Sequence, residues 1–206
     1  MEQKRLCYIS RNYYNLTSAG NKAKTDNEDT LAEMGAINLG LPRTIRNSKI
    51  LAFFLDLIGI IRACILLQKN DVLFLQYPVK KYFSFLCHVA HLKGAKTVSL
   101  IHDLGSFRRK KLTIQKEINR LSNSDYIIAS NEKMKGWLKE HGLQKSVGAL
   151  GLFDYRSASK CSEEVTEREQ VKVVYAGALS MKKNSFLIEL SKTLNHWQLL
   201  VCGNKE

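Results

Sequence analysis

A histidine and an aspartate stand side by side where an apolar run turns polar: residues 100–111 read LIHDLGSFRRKK, with His102 and Asp103 at the junction. Catalytic groups gather at the carboxyl ends of such runs when they are strands of an open sheet. An imidazole there suits a general base or a partner for a substrate hydroxyl, and a carboxylate can orient it or act itself. Neighbours in extended chain project to opposite sides, so the two are expected to face different surroundings and not to form a dyad.

A second candidate is residues 173–183, VVYAGALSMKK. A strand entering a small-residue turn and then a helix presents backbone N–H groups at the helix N-terminus, which favours anions. Gly177, Leu179 and Ser180 lie in the turn, and Lys182 and Lys183 add charge, so a nucleotide diphosphate fits. One glycine is a weaker signal than GxGxxG, and a plain turn with solvated lysines is the alternative. The third is NLTSAGNKAK, residues 15–24, after the first apolar run. Its Asn15, Ser18, Gly20, Asn21 and Lys22 read as a cleft loop open to a phosphate or an acceptor, against the alternative of a flexible surface loop. The fourth is LGLFDYR, residues 150–156, where Asp154 and Arg156 meet a change of sequence character. They contact a cleft ligand if that change is a hinge, or else Asp154 caps a turn.

The elements that position these groups alternate strand and helix. Short apolar runs at residues 5–10, 36–41, 71–76, 96–101, 125–130 and 147–151 read as strands. Between them, residues 12–24 read as loop, and 25–34, 47–68, 79–92, 113–121 and 131–141 as helices. Asn47 or Ser48 is a plausible N-cap, and Gly94 and Gly142 sit where helices end in the left-handed region. Continuous apolar strands alternating with helices specify an α/β fold with a parallel sheet covered on both faces. Residues 156–170, RSASKCSEEVTEREQ, have no apolar periodicity and read as a linker. Beyond it come a strand at 171–176, a helix at 182–194 and a strand at 197–202. One βαβ unit cannot bury its own faces, so this part is expected to be the start of a larger lobe.

Composition narrows the class. At 206 residues with 45% hydrophobic and 25% charged side chains, the chain can build a proper core. Its 32 Lys and Arg against 19 Asp and Glu leave +13, which suits a polyanionic partner or an anionic surface. The 5 cysteines are scattered singly, without metal spacing, as in a reduced cytosolic protein. No RNP aromatics, helix-turn-helix or KH signature appears, so nucleic acid is not an expected partner. The N-terminus MEQKRLCYIS is too polar for a signal peptide. Residues 50–67, ILAFFLDLIGIIRACILL, approach the length of a membrane span, but Asp56 and Arg62 interrupt them. Each would cost about 2.5–3.5 kcal/mol in hydrocarbon, so the run is expected to be buried or to lie on a membrane surface. Arg108–Lys111 could join Lys80, Lys81, Lys93 and Lys96 in a basic face, with Tyr77, Tyr82, Phe83, Phe85 and Phe107 interleaved for membrane contact. For most of these aromatics a core position is the simpler reading.

The order SAGNKAKTD, LIHDLGSFRRKK, SNEKMKGWLKEHG with LGLFDYR, then VVYAGALSMKKNSFL resembles bacterial GT-B glycosyltransferases. That family includes galactofuranosyltransferases of surface-polysaccharide pathways and glucosyltransferases that extend GlcNAc on adhesins. The resemblance implies a Rossmann-like acceptor lobe (residues 1–155), a linker (156–170) and the beginning of a Rossmann-like donor lobe (171–206), incomplete where the sequence stops. It further implies a UDP-sugar in the cleft as donor substrate, with no cofactor or bound metal. Gly177, Leu179, Ser180 and Lys182 would meet the diphosphate, and His102, Asp103 and the Asn15–Lys22 stretch would face the acceptor and the transferred sugar. The implied activity moves galactofuranose, galactose or glucose to a glycan or lipid-linked oligosaccharide, in the cytoplasm or at the inner face of the plasma membrane, and leaves room for a homo-oligomer. Two other readings stay open: a non-catalytic truncated partner subunit, and a basic module that grips a nucleotide or nucleic acid without turnover.

Overall fold

Ser48 accepts a hydrogen bond from the Leu51 amide and starts the longest helix, α2 (Lys49–Leu66), inside the expected boundary. The computed structural model describes residues 4–11, 19–44, 48–79, 82–108, 112–151, 156, 172–177, 184–193 and 198–202. They divide into two compact units, Met1–Arg156 and Ser157–Glu206. In the first, β1 (Leu6–Tyr8), α1 (Ala19–Glu33), β2 (Ile37–Asn38) and α2 precede β3 (Val72–Tyr77), α3 (Phe83–Leu92) and β4 (Lys96–Ile101). After these come α4 (Gly105–Arg108), α5 (Ile114–Leu121), β5 (Tyr126–Ala129), α6 (Glu132–Glu140) and β6 (Ser146–Ala149). The second unit holds β7 (Lys172–Ala176), α7 (Phe186–Thr193) and β8 (Gln198–Cys202).

The first unit is the α/β fold that the alternation specifies: a 6-stranded sheet in the order β2-β1-β3-β4-β5-β6, parallel at every pairing. Leu73, Leu75 and Tyr77 of β3 share one face with Ile101, Ile127 and Ala129, since Leu73 pairs with Thr97 and Ser99 with Ile127. That face packs on Ile60 and Ala63 of α2, Phe83 and Leu86 of α3, Leu121 of α5 and Leu138 of α6. Tyr77 and Phe83 meet edge to face, ring centroids 5.0 Å apart, and both are fully buried. They therefore belong to the core and not to the basic, aromatic face that the sequence allowed; Phe85 and Phe107 are exposed. The opposite face, which includes Phe74 and Gln76, receives α1.

Helices α3 and α6 stop as their glycines require. Gly94 and Gly142 take φ of +72° and +93°, and the amides of Ala95 and Leu143 reach back to the carbonyls of Ala90 and Leu138. Helix α1 departs from expectation, because residues 19–24 are its first turns and not a loop. Residues 19–24, AGNKAK, have Ala23 as their one buried side chain among those described, so no apolar period marks these turns.

In the second unit β7 and β8 pair in parallel, Lys172 opposite Gln198. Val174, Phe186, Ile188, Leu200 and Val201 stay exposed, and none of its described residues is fully buried.

Burial sets thiol reactivity. Cys7 and Cys87 have no exposed surface, and burial pushes their thiols up to about 11 and about 12, with Asp71 adding to the rise at Cys7. Cys202 is exposed. A thiol-exchange reagent at neutral pH is expected to modify Cys202 at once and to reach Cys7 and Cys87 only on unfolding. Mass mapping of labelled peptides before and after denaturant checks this, and early label on Cys87 would contradict it.

Candidate functional site

Strand order reverses between β1 and β3, since the chain leaves β1 for β2 on one side and returns to pair β3 on the other. Crevices outside the carboxyl ends of strands at such a switch point are the usual ligand sites of open α/β sheets. Here that place is polar. Ser10, just beyond β1, donates to Glu28 of α1 at 2.6 Å, and both are nearly inaccessible. Arg43 approaches Glu28 at 4.0 Å and binds Asp29 at 2.8 Å. A cavity of about 30 Å³ beside Ser10, lined also by Lys24, Gln76 and Asp56, has room for ordered water and not for a sugar.

His102 closes this cluster at the end of β4. Its amide donates to the Tyr77 carbonyl at 3.0 Å, continuing the β3–β4 ladder, and its ring turns toward α1. Gln76 sets the tautomer. The Gln76 amide nitrogen donates to the Lys24 carbonyl at 3.1 Å, so its oxygen is the acceptor for Asn27 at 3.2 Å and for His102 Nε2 at 2.8 Å. In neutral His102 the proton is then on Nε2 and the lone pair on Nδ1. Burial, with a smaller contribution from the Lys24 ammonium, lowers the imidazole from 6.5 to about 4. At neutral pH the ring is therefore uncharged.

Asp103 follows in the segment beyond β4. It lines a depression of about 550 Å³ at the ends of β4 and β5, with Leu104, Phe107, Asn131, Met134 and Trp137. Asn131 caps α6 by accepting from the Met134 amide at 2.9 Å. Phe107 meets Trp137 edge to face, and Trp137 stacks on His141. The segment carrying His102 and Asp103 is fixed by Glu117 of α5, which has no exposed surface. Its carboxylate accepts from Tyr77 Oη, from the Gly105 and Ser106 amides, each at 2.8 Å, and from the Ser106 hydroxyl. Amides at a helix start are natural donors to an anion, and here the chain supplies its own.

Other residues expected at the site are already engaged within the fold. Gly20, Asn21 and Lys22 fall within the first turns of α1, not in a loop. Lys22 donates to Asp26 at 2.5 Å and to the Arg156 carbonyl at 2.8 Å. The Arg156 amide donates to the other Asp26 oxygen at 3.0 Å, and its guanidinium binds Glu33. Both residues are thus tied to α1: Asp26 holds the Lys22 ammonium and the Arg156 amide, and Glu33 holds the Arg156 guanidinium. Burial alone would raise the Asp26 carboxyl, but the Lys22 ammonium and the Arg156 amide bring it below the ordinary value. Gly177 ends β7 with its amide on the Cys202 carbonyl at 3.0 Å. A methyl group at Gly177 would fall 2.8 Å from the Tyr175 hydroxyl, which donates to Asn184. Asn15, Ser18, Asp154, Leu179, Ser180, Lys182 and Lys183 lie outside the described residues.

Sequence reading missed Gln76, Asn27, Glu28 and Glu117. Gln76 had a signal, being the polar residue that closes the otherwise apolar run VLFLQ. Glu117 had none, because a Glu in an amphipathic helix reads as solvated.

Residues 6–152, from β1 to just past β6, match the family described as Glucosyltransferase 3-like, N-terminal domain. The chain belongs to this family. The β-1,6-galactofuranosyltransferase WbbI of Escherichia coli (strain K12) is 30% identical over 122 residues, which are 59% of this chain. Those residues are 36% of that protein, so the chain spans about a third of its length. The polar cluster around His102 and the Asp103 depression both lie inside the matched domain.

Proposed function

We propose that the protein is a glycosyltransferase that moves galactofuranose, galactose or glucose from a UDP-sugar to a growing surface-polysaccharide or other glycan acceptor. The observation that carries this is the match of residues 6–152 to an N-terminal domain of a glucosyltransferase-like family, within which His102 is held neutral at the carboxyl edge of the sheet. In this reading the first unit presents the acceptor. His102, just past the end of β4, faces the acceptor and the transferred sugar in this reading. The second unit begins the donor site, where Lys182 and Lys183 meet the diphosphate without a metal. A lipid-linked oligosaccharide at the inner membrane face is the acceptor most consistent with so basic a chain.

The test is release of UDP from UDP-glucose, UDP-galactose and UDP-galactofuranose by the full-length protein. Lipid-linked glycan from a bacterial envelope serves as acceptor, and GDP- and ADP-sugars as controls. Turnover of one UDP-sugar, dependent on acceptor, is expected. No release from any of the three, with no heat on titrating UDP, overturns the reading.

A further inference from the structure

Along α2 a row of large apolar side chains faces outward. Ile50, Phe54, Ile58, Ile61 and Ile65 are exposed by 73, 54, 52, 52 and 71%. At 100° per residue they fall within one arc of the helix, and from Ile50 to Ile65 they make a stripe about 24 Å long. A soluble surface rarely keeps so continuous an apolar patch uncovered. The helix's charged residues do not interrupt it. Asp56 turns inward to Arg11 at 2.7 Å, and Arg62 donates to the carbonyls of Leu39 and Gly40 at 2.9 and 2.6 Å.

The charge around the stripe has one sign. From residue 34 to residue 70 the sequence carries Asp56 as its one acidic side chain, against Arg43, Arg46, Lys49, Arg62 and Lys69. Arg46 and Lys49 precede the stripe in sequence. Lys69 comes after it, and Lys93 reaches the end of α2 through the carbonyls of Ile65 and Leu67, both at 2.9 Å. In sequence, basic residues come both before and after the stripe, so pairing with a second copy of α2, parallel or antiparallel, is disfavoured by like charge. An anionic lipid surface matches both features, taking the apolar row into its acyl boundary and the flanking cations among its headgroups. No helix among the described residues is long and apolar enough to cross a membrane, so the contact is one of lying on the surface.

We propose that the α2 stripe docks the protein on anionic membranes. This goes beyond the transferase reading and stands or falls separately from it. The test is sedimentation of the full chain with vesicles of phosphatidylcholine alone or mixed equally with phosphatidylglycerol, beside light scattering without lipid. Wild type is expected to bind the mixed vesicles, to weaken in high salt and to ignore the neutral ones. I58E/I61E, on exposed positions, should retain wild-type circular dichroism yet bind on the order of a hundredfold more weakly. K69E, outside the stripe, should bind several-fold more weakly and lose part of the salt dependence. Absence of binding by wild type overturns the proposal, as does binding unchanged in I58E/I61E. A dimer in light scattering that I58E/I61E dissolves, without vesicle binding, also overturns it and assigns the stripe to a second copy.

Discussion

Replacing Glu117 by alanine is expected to destabilise the first unit by about 2–5 kcal/mol, the scale of leaving two or more buried donors without an acceptor. The carboxylate has no exposed surface, and its oxygens accept from Tyr77 Oη, the Gly105 and Ser106 amides and the Ser106 hydroxyl. Placing a carboxylate there costs desolvation, but removing it strands donors that no water reaches. Each orphaned donor costs about 1–3 kcal/mol. Tyr77 is fully buried, so its hydroxyl loses the Glu117 acceptor out of reach of solvent. E117M with Y77F should therefore recover part of the loss, because one donor leaves with its acceptor, while the two amides stay unpaired. Urea unfolding of the three proteins checks this. A loss below about 1 kcal/mol in E117A would show that water enters the site and satisfies the amides. Since Glu117 also fixes residues 103–106, E117A should reduce transfer even where most of the protein remains folded.

That residue shows where sequence reading stops. Features set by local chemistry are legible: β4 falls at residues 96–101 as expected, Ser48 caps α2, α5 and α6 start within one residue of the expected Thr113 and Asn131, and Gly94 and Gly142 end their helices. These signals are carried by a residue and its near neighbours. Helix α1 is not legible across residues 19–24 because this stretch, AGNKAK, is small and polar and has Ala23 as its one buried side chain among those described. An amphipathic pattern reports burial against an apolar core, and a helix that lines a site has no such pattern to report. The same holds for partners. Lys22 and Arg156 read as ligand contacts because each is a cation beside a loop or hinge, yet both are bound by Asp26, which lies 130 residues before Arg156 in the chain. Nothing in either local sequence encodes that long-range bracket. Conversely, the apolar run at residues 50–67 is legible as a helix of buried or membrane-surface type, but only the placement of Asp56 and Arg62 shows which face is left outward.

Substituting His102 by alanine is expected to lower the transfer rate by about a hundredfold or more, the scale of losing a positioned proton acceptor. Its pH behaviour separates a neutral, buried imidazole from an ordinary one. The folded group titrates near 4, against 6.5 for the free side chain. Between these values the unfolded chain holds a proton that the folded chain does not, so stability rises with pH across that window and falls as pH drops through it. The shift corresponds to at most about 3 kcal/mol, with a slope near 1.4 kcal/mol per pH unit at its steepest. H102N, which cannot titrate, should flatten stability between pH 4 and 6.5 relative to wild type. In rate measurements the wild type should show no His102-dependent acid limb near 6.5, because the ring is already neutral there. Q76L removes the acceptor that sets the Nε2–H tautomer, so it should cut transfer while leaving His102 in place. An acid limb near 6.5 that H102N abolishes would mean that the ring is solvated and titrates freely. A rate in Q76L equal to wild type would mean that the Gln76 contact does not position it.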